Sequence, residues 1–266
     1  MLAEDDFDGQ VCIVTGAARG IGAGIAESLG RRGGEVVVVD VNEQGARARA
    51  ELLTADGCRA HAWAVDITRG DALEGMVREV EAEVGPPKVL VNNAGLFVLE
   101  PSHLLGEDAW RRQIDVLLTG TFLATRAVVP GMLERGSGAI VNISSIGGFG
   151  GHPGRSAYNA AKAGCAVLTE VLGVEWAARG VRVNAVAPGV TRTEMTEEVL
   201  RSPSGRAKLA DYERRTPLGR IAEVSEIAEC VAFLASSRAS FITGVTLPVD
   251  GGWLASDGIY GNEDPA

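Results

Sequence analysis

Positive charge is scarce in this 266-residue sequence, which carries 25 lysines and arginines against 35 aspartates and glutamates. The formal net charge at pH 7 is −10, and the isoelectric point is about 4.9. A protein that binds nucleic acid needs a basic face to neutralise phosphates. The composition therefore argues against a nucleic-acid partner, although net charge alone says nothing about the fold.

Cysteine and histidine are also few, with four and three residues. The cysteines, Cys12, Cys58, Cys165 and Cys230, form no CxxC pair, and the gaps between them are long and irregular. This usage predicts four reduced thiols, as in a cytoplasmic protein. The histidines have no metal-ligand spacing, so we expect no metal site.

Long apolar runs are missing as well, because no uninterrupted stretch approaches the roughly 18 residues of a membrane-spanning helix. The first residues, MLAEDDFDGQ, are acidic, and no apolar segment of a signal peptide follows them. We therefore expect a cytoplasmic protein with no membrane partner. A content of 46% hydrophobic and 23% charged residues is typical of a globular chain, and this length suits one large domain.

Short β-branched runs alternate with longer alanine-rich amphipathic segments along the chain. Strands are predicted at 10–15, 36–39, 60–65, 88–92, 139–144, 181–187 and 245–250. Helices are predicted at 20–33, 43–57, 70–85, roughly 107–134, 156–180 and 225–237. Near-continuous apolar strands are typical of strands buried on both faces, so the fold class is predicted to be α/β, with a seven-stranded parallel sheet between two helical layers.

One stretch, at about 194–222, is charge-rich and weakly patterned. It has the character of an excursion from the sheet, and such loops often carry function. We therefore predict a single domain over residues 1–266, with a substrate lid at about 194–222.

The first predicted strand runs directly into a glycine-rich turn, TGAARGIG, which opens the first helix. Glycines let the backbone approach a pyrophosphate, and the start of a helix offers free N–H groups to it. The turn follows a strand and opens a helix, which is the context that a dinucleotide fingerprint requires. The predicted cofactor contacts in this turn are Gly16, Arg19, Gly20, Ile21 and Gly22.

Asp40 ends the second predicted strand, 18 residues after Gly22. A carboxylate there can accept hydrogen bonds from both ribose hydroxyls and would repel a 2′-phosphate, which favours NAD. Arg19 favours the opposite choice, because a basic residue in this turn could hold a 2′-phosphate. We weigh Asp40 more heavily and predict NAD as the cofactor, with NADP as the less favoured alternative.

Two more strand ends fall at the same predicted edge of the sheet. Asp66 and Ile67 end the third strand, and NNAG (92–95) ends the fourth. Ligands of open α/β sheets bind outside the carboxyl ends of the strands. We therefore expect the following residues to line one crevice with the glycine-rich turn: Asp66, Ile67, Asn93, Ala94 and Gly95.

The segment SAYNAAK places Tyr158 and Lys162 four residues apart, and therefore on one face of a predicted helix. A free tyrosine is a poor base at neutral pH because its pKa is about 10, but a neighbouring cation favours the phenolate. The pair can thus act as an acid–base unit; a surface lysine packed along a half-buried tyrosine is the alternative. Ser145, 13 residues before Tyr158, could bond a substrate oxygen or simply belong to a glycine-rich turn.

Together these motifs resemble those of the short-chain dehydrogenase/reductase family over about residues 7–254. The set is TGAARGIG, Asp40 at its strand end, NNAG, Ser145, Tyr158 with Lys162, PGVTRT (188–193) and ITGVTLPVDGG (242–252). The resemblance implies one Rossmann-like domain, usually a homotetramer, that acts as an NAD(P)-dependent alcohol dehydrogenase or ketone reductase.

The resemblance also implies roles for individual residues. Tyr158 would be the catalytic acid/base, Lys162 would favour its phenolate and bind the nicotinamide ribose, and Ser145 would polarise the substrate oxygen. Asn93 would line the cofactor cleft. The nicotinamide and its carboxamide would be held by Pro188, Gly189, Thr191 and Thr193.

Leu117 departs from the family pattern. The family frame W-x6-N-L-x-G-x-F fits from Trp110 to Phe122, and it places Leu117 where the family usually has asparagine. That asparagine helps to bind a water that links the lysine to solvent; a leucine side chain cannot, although its backbone carbonyl still can. We therefore expect an altered proton relay in an active enzyme.

Two other functions compete with this one. A nucleotide-binding sensor or scaffold of the same fold, with impaired catalysis, would account for Leu117 but not for an intact Ser145, Tyr158 and Lys162. A SAM-dependent methyltransferase shares the glycine-rich turn and the acidic residue, but it explains neither the Ser–Tyr–Lys set nor PGVTRT.

The sequence does not identify the substrate. The predicted pocket walls are mostly apolar: Leu96, Phe97, Ile146, Phe149, His152, Val190, Met195 and Tyr212. This favours a small-molecule secondary alcohol, or its ketone, with an alicyclic, aromatic or aliphatic skeleton. Four arginines could receive an anionic substrate, but solvated surface arginines are the favoured interpretation of them: Arg155, Arg206, Arg214 and Arg215.

Overall fold

The computed structural model describes residues 6–194, 196–197 and 203–256. A parallel sheet of seven strands lies at its centre, in the order β3-β2-β1-β4-β5-β6-β9. The strands are β1 Val11–Thr15, β2 Glu35–Asp40, β3 Arg59–Ala64, β4 Pro87–Asn92, β5 Gly138–Ile143, β6 Val181–Pro188, β7 Thr191–Arg192, β8 Ala222–Glu223 and β9 Thr246–Val249. The two-residue strands β7 and β8 pair with each other outside this sheet. The predicted seven-stranded parallel sheet is confirmed.

Helices cover both faces of the sheet. They are α1 Gly20–Gly30, α2 Glu43–Ala55, α3 Gly70–Glu83, α4 Glu107–Ile114, α5 Gly120–Arg135, α6 Ser156–Ala177, α7 Pro203–Arg215 and α8 Val224–Ala235. Helices α1, α2 and α8 contribute to the hydrophobic core on one face, whereas α3, α5 and α6 contribute to the core on the other. The arrangement is the three-layer α/β/α class predicted from the alternating pattern.

Strand β1 shows why the central strands are apolar throughout. All five of its residues are buried. Cys12 and Val14 belong to one core cluster, and Val11 and Ile13 belong to the other. Because successive side chains of a strand point to opposite faces, a strand between two helical layers needs apolar residues at every position.

The long helical zone predicted at 107–134 is one continuous rod, Glu107–Arg135, in which a π-helical segment at Asp115–Thr119 joins α4 to α5. By length and composition alone this rod could cross a membrane. Its inner side, however, is buried against the sheet through residues such as Ala124, Val128 and Met132. That is the arrangement of a core helix.

The predicted lid region is only partly described. Its described part contains α7 and the start of β8, and Arg192 of β7 holds this region by ion pairs to Glu197 and Glu223. Met195, predicted as a pocket wall, lies outside the described residues. The single domain with a substrate lid stays a prediction.

The four cysteines form no disulfide: all are free, and Cys12, Cys58 and Cys165 are buried. Burial raises the pKa of each thiol, including that of the half-exposed Cys230. A raised pKa keeps a thiol protonated and unreactive at neutral pH. The reduced state of the four thiols stays a prediction.

Candidate active site

The glycine-rich turn packs directly against the NNAG turn at the carboxyl ends of β1 and β4. A Cβ on Gly16 would lie 2.6 Å from Cα of Ala94, and a Cβ on Gly22 would lie 2.3 Å from Nδ2 of Asn93. Gly16 and Gly20 also have positive φ angles of 63° and 59°. These positions therefore require glycine, and they bring the start of α1 to the crevice as a polar N–H surface.

Asn93 is committed to holding the two turns together. Its Nδ2 donates to the carbonyls of Thr15 and Gly16, at 3.0 and 2.9 Å. The hydroxyl of Thr15 in turn accepts the N–H groups of Asn93 and Ala94, at 3.0 and 3.1 Å. Thr15 is thus a second residue that joins the two turns. It was not among the predicted site residues, although its position at the end of β1 could have indicated this role.

Asp40 is tied to the same turn. Its Oδ2 accepts the N–H of Ala18 at 3.1 Å, and its Oδ1 accepts the N–H of Asn42 at 3.0 Å. Arg19 follows Ala18 in the chain, is exposed, and has no side-chain partner among the described residues. Val41, directly after Asp40, is 74% exposed and offers no charge of its own. Asp40 and Arg19, which were predicted to favour different cofactors, therefore both belong to the region of the glycine-rich turn.

Asp66 and Ile67 occupy the neighbouring strand end, beyond β3. Asp66 is exposed, and its Oδ1 accepts both the N–H and the hydroxyl of Thr68. Ile67 is buried, and its side chain meets the place where a Cβ on Gly120 would lie. The structure thus places Asp66 at the crevice edge and turns the Ile67 side chain inward, so only the Ile67 backbone is left to line the crevice.

The PGVTRT segment closes the opposite side of the crevice. Pro188 ends β6, the N–H of Gly189 donates to the carbonyl of Val249, and the hydroxyl of Thr191 donates to the carbonyl of Gly189 at 3.1 Å. The methyl group of Thr193 lies 3.7 Å from the position that a Cβ on Gly20 would take. The structure therefore brings this segment to the glycine-rich turn.

Ser145, Tyr158 and Lys162 meet between β5 and α6. A Cβ on Gly147 would lie 3.4 Å from both the Ser145 Oγ and the Tyr158 Cε1, so these two groups border one small space. The Ser145 Oγ accepts the N–H of Gly147 at 3.0 Å, which leaves its own proton free to donate. Lys162 is 6% exposed, and its Nζ lies 5.9 Å from the centroid of the Tyr158 ring.

The ammonium group of Lys162 is anchored to the sheet. Its Nζ donates to the carbonyl of Ile143, the last residue of β5, at 2.5 Å. The hydroxyl of Ser144 donates to the backbone carbonyl of Lys162 at 3.0 Å. These bonds fix the first turns of α6 against the end of β5, so the spacing of the three predicted catalytic side chains is set by rigid elements.

A chain of aromatic and cationic groups extends outward from Tyr158. The ring of Phe97 packs edge-on against Tyr158, with centroids 5.1 Å apart, and the Arg155 guanidinium lies 5.2 Å from the Phe97 centroid. The Nη2 of Arg155 donates to the hydroxyl of Tyr212 on α7 at 3.1 Å, and Tyr212 contacts Trp253. Phe97 and Tyr212 were predicted as pocket walls; Trp253, which contacts Tyr212, was not among the predicted residues.

The pKa of His152 is sensitive to the charged groups of this outer region. Its pKa is lowered from the ordinary value, first by burial and then by the positive charges of Arg155 and Arg215. Its Nδ1 faces the Nδ2 of Asn159 at 3.2 Å. The positive charges that act on His152 therefore come from Arg155, just before α6, and from Arg215 at the end of α7.

Comparison with known proteins places the chain in a family. A family model described as Enoyl-(Acyl carrier protein) reductase matches residues 16–254. The cis-4-hydroxycyclohexanecarboxylate dehydrogenase of Sinomonas cyclohexanicum is 46% identical over 250 residues, which cover 94% of this chain and 98% of that protein. The chain belongs to the short-chain dehydrogenase/reductase family.

Other members of the family show its range of reactions. The 3-oxoacyl-(acyl-carrier-protein) reductase FabG of Vibrio cholerae is 39% identical over 247 residues, covering 93% of this chain and 98% of that protein. A gluconate 5-dehydrogenase from Burkholderia cenocepacia, solved in complex with NADP and tartrate, superposes with a TM-score of 0.89 at 32% identity, over 95% of this chain and 98% of that one. This short-chain dehydrogenase/reductase is therefore an oxidoreductase of an NAD(P)-using family that acts on alcohols and ketones.

Proposed function

We propose that this protein transfers a hydride between NAD(H) and the carbinol carbon of a secondary alcohol or its ketone, with Tyr158 as the acid/base. The convergence of Ser145, Tyr158 and Lys162 beside the glycine-rich turn carries the proposal. When bound, the nicotinamide cofactor supplies the hydride chemistry, and the protein supplies position and charge.

The residues present fit a dinucleotide. Gly16, Gly20 and Gly22 have no side chains, so at these three positions the backbone of the turn can approach a pyrophosphate closely. Asp40 receives the adenosine ribose, and Asp66 with the Ile67 backbone borders the adenine. The remaining proposed contacts are Arg19, Ile21, Asn93, Ala94 and Gly95 around the turns, and Pro188, Gly189, Thr191 and Thr193 at the nicotinamide end.

Each catalytic side chain has a distinct task in alcohol oxidation. The Ser145 hydroxyl donates a hydrogen bond that positions the substrate oxygen. The phenolate of Tyr158 accepts the hydroxyl proton as the hydride leaves the carbinol carbon. The buried ammonium of Lys162 stabilises that phenolate by its positive charge and binds the nicotinamide ribose. In ketone reduction the same proton returns from Tyr158 to the substrate.

The preferred cofactor is NAD, because Asp40 presents a carboxylate where a 2′-phosphate would lie; NADP is the weaker alternative, through Arg19. The preferred substrate class is an alicyclic secondary alcohol. Phe97 next to Tyr158 gives the pocket an apolar wall, and the relative from Sinomonas cyclohexanicum is named for a cyclohexane substrate. We also propose a cytoplasmic homotetramer with one domain per chain and a lid at about 194–222.

The decisive experiment compares the wild-type protein with Tyr158→Phe in NAD-dependent oxidation of a panel of secondary alcohols, followed by NADH formation. Loss of a positioned acid/base should lower kcat by about 10³-fold. The rise in Tm caused by NADH should remain, because the phenol hydroxyl is not needed to hold the adenosine half. Thr54→Val, which removes an exposed hydroxyl from α2, is the control.

The outcomes separate the competing functions. Turnover that survives in Tyr158→Phe would refute the assigned role of this residue. A wild-type protein that is stabilised by NADH but oxidises and reduces nothing would favour the sensor or scaffold. Stabilisation by SAM alone would exclude a dehydrogenase.

A further inference from the structure

Arg155 occupies an unusual place for a charged side chain. It precedes the first residue of α6, three positions before Tyr158, and it is half-buried. Its guanidinium lies 5.2 Å from the centroid of the Phe97 ring, which also packs edge-on against the Tyr158 ring. A single aromatic ring therefore separates this positive charge from the proposed acid/base.

No carboxylate neutralises Arg155 within the described part of the chain. Its one hydrogen bond to another side chain goes to the neutral hydroxyl of Tyr212. A guanidinium carries five N–H donors, so most of its hydrogen-bonding capacity remains available. By contrast, Arg214 is exposed and paired with Asp211 at 2.6 Å, as is usual for a surface arginine.

A second arginine reinforces the charge at this place. The guanidinium of Arg215 on α7 lies 4.5 Å from the centroid of the Trp253 ring, and its ion pair with Asp211 is long, at 3.7 Å. Arg155 donates to Tyr212, and the Tyr212 ring contacts the same Trp253 ring that Arg215 faces, so both arginines lie at one group of aromatic side chains. Arg155 is linked through Phe97 to Tyr158 and through Tyr212 and Trp253 to Arg215, so two cations lie on the outer side of the candidate active site.

A purely structural bridge would not need this charge. The contact to Tyr212 uses one N–H group, and a neutral amide could supply it. Arginine offers in addition a planar pair of donors that matches a carboxylate, and a half-buried position strengthens such a pair relative to bulk water. The sequence favoured a solvated surface arginine at this position; the burial and the contacts of Arg155 argue against that interpretation.

We propose that Arg155 binds the carboxylate of the substrate, which we infer to be an alicyclic hydroxy acid, or the corresponding keto acid, whose carbinol carbon lies at Ser145 and Tyr158. Arg215 adds a second positive charge at the same end. The proposal rests on the proposed function, since it identifies the substrate class of the same site. A six-membered ring that carries the hydroxyl and the carboxylate at positions 1 and 4 presents these two groups at its opposite ends.

A binding measurement tests the carboxylate contact without requiring turnover. The probes are cyclohexanecarboxylate and its neutral isostere cyclohexanecarboxamide, titrated calorimetrically into the full chain saturated with NADH. For wild type, the carboxylate should bind more tightly than the amide. Arg155→Met should weaken carboxylate binding by about 10- to 100-fold, as expected for the loss of hydrogen bonds to a charged group, and should leave amide binding much less affected.

The matched control is Arg179→Met. Arg179 lies just beyond the opposite end of α6 and is exposed, so this variant loses the same charge far from the pocket. Arg155→Lys is the second variant, and it should fall between wild type and Arg155→Met, because it keeps the charge but not the paired donors. Its measurement decides the question if Arg155→Met does not fold.

Kinetics add a readout that a structural role would not produce. The ratio of kcat/KM for cis-4-hydroxycyclohexanecarboxylate to that for cyclohexanol should fall by about 10- to 100-fold in Arg155→Met, mainly through KM. Equal loss for both substrates, or carboxylate binding that is the same in wild type and variant, would overturn the proposal. If neither alcohol is oxidised but carboxylate binding depends on Arg155, the proposed hydride transfer fails while the carboxylate site stands.

Discussion

At the scale of single residues, the candidate site contains two kinds of polar side chain: those whose hydrogen-bond donors are bonded within the protein, and those with donors that have no described partner. The amide nitrogen of Asn93 donates to two backbone carbonyls, and the ammonium group of Lys162 donates to the carbonyl at the end of β5. Arg19 and Arg155 have most of their donors free of described partners. The first kind of residue fixes the shape of the site, and the second kind is available to recognise a ligand.

Cofactor preference is the first property to test at this scale. Asp40→Asn keeps an acceptor for a neighbouring N–H group but removes the negative charge that opposes a 2′-phosphate. We expect kcat/KM with NADP to rise about tenfold, because a charge contact near a protein surface is worth on the order of 1 kcal/mol or more. Steady-state kinetics with both cofactors measure the change.

Arg19 provides the companion variant to Asp40→Asn. If Arg19 is the group that holds a 2′-phosphate, adding Arg19→Ala to Asp40→Asn should reverse the gain with NADP. Val41→Ala, at an exposed position beside Asp40, is the control that changes no charge. An unchanged preference in Asp40→Asn would mean that Asp40 does not decide the cofactor.

The sequence predicted which residues meet at the site better than it predicted what each side chain does there. Ser145, Tyr158 and the glycines converge because carboxyl ends of parallel strands meet at one edge, and the alternating pattern already implied that. A residue's position after a strand does not reveal the direction of its side chain. The inward orientation of Ile67 and the hydrogen bonds of Asn93 to the turn could therefore be seen only in the folded structure.

At the scale of secondary structure elements, the π-helical segment Asp115–Thr119 determines the position of Leu117. The N–H of Gly120 reaches back to the carbonyl of Asp115, five residues earlier, which widens the helix locally. The Leu117 side chain is 1% exposed and meets Gly95 of the NNAG turn, while Leu118 packs on Gly164 of α6. The segment therefore lies between the cofactor turn and the catalytic helix. Apolar periodicity predicted a helix here but could not predict one widened turn.

Leu117→Asn tests what this segment contributes. The carbonyl of Leu117 already accepts the hydroxyl of Thr121 at 3.0 Å, and the side chain lies in apolar surroundings. Burying an amide there should cost about 1 to 3 kcal/mol of unfolding free energy, and therefore roughly 2 to 10 °C in Tm. We expect kcat to stay the same or to rise, since an asparagine, which the family usually has here, would help to hold a water between Lys162 and solvent.

Leu117→Met is the matched control, because it keeps an apolar side chain and should change Tm little. Scanning calorimetry and the pH dependence of kcat measure the two properties separately. A variant Leu117→Asn with unchanged Tm and a collapsed kcat would contradict this interpretation of the segment.

At the scale of the whole molecule, the acidic surface is interrupted by an apolar stripe on α6. Val167, Val171 and Val174 are 58, 54 and 78% exposed, and their spacing of four and three residues places them on one face of the helix. A helix that packs on the sheet by one side usually presents polar residues on the other. The stripe gives a physical basis for the predicted homotetramer, since association would remove these side chains from water.

The double variant Val171→Glu and Val174→Glu tests whether that stripe is a subunit interface. We expect the wild type to behave as a tetramer in size-exclusion chromatography with light scattering, and the variant to dissociate into smaller species, because two carboxylates cannot be buried without partners. Leu52→Glu, at an isolated apolar position of α2 that is 57% exposed, should elute as the wild type does. The Tm of the wild type should rise with protein concentration, whereas the dissociated variant should have a lower Tm that does not. Because α6 also carries Tyr158 and Lys162, we expect the variant to have a reduced kcat as well. A wild type that is monomeric, or a double variant that remains fully assembled, would show that this face of α6 does not join subunits.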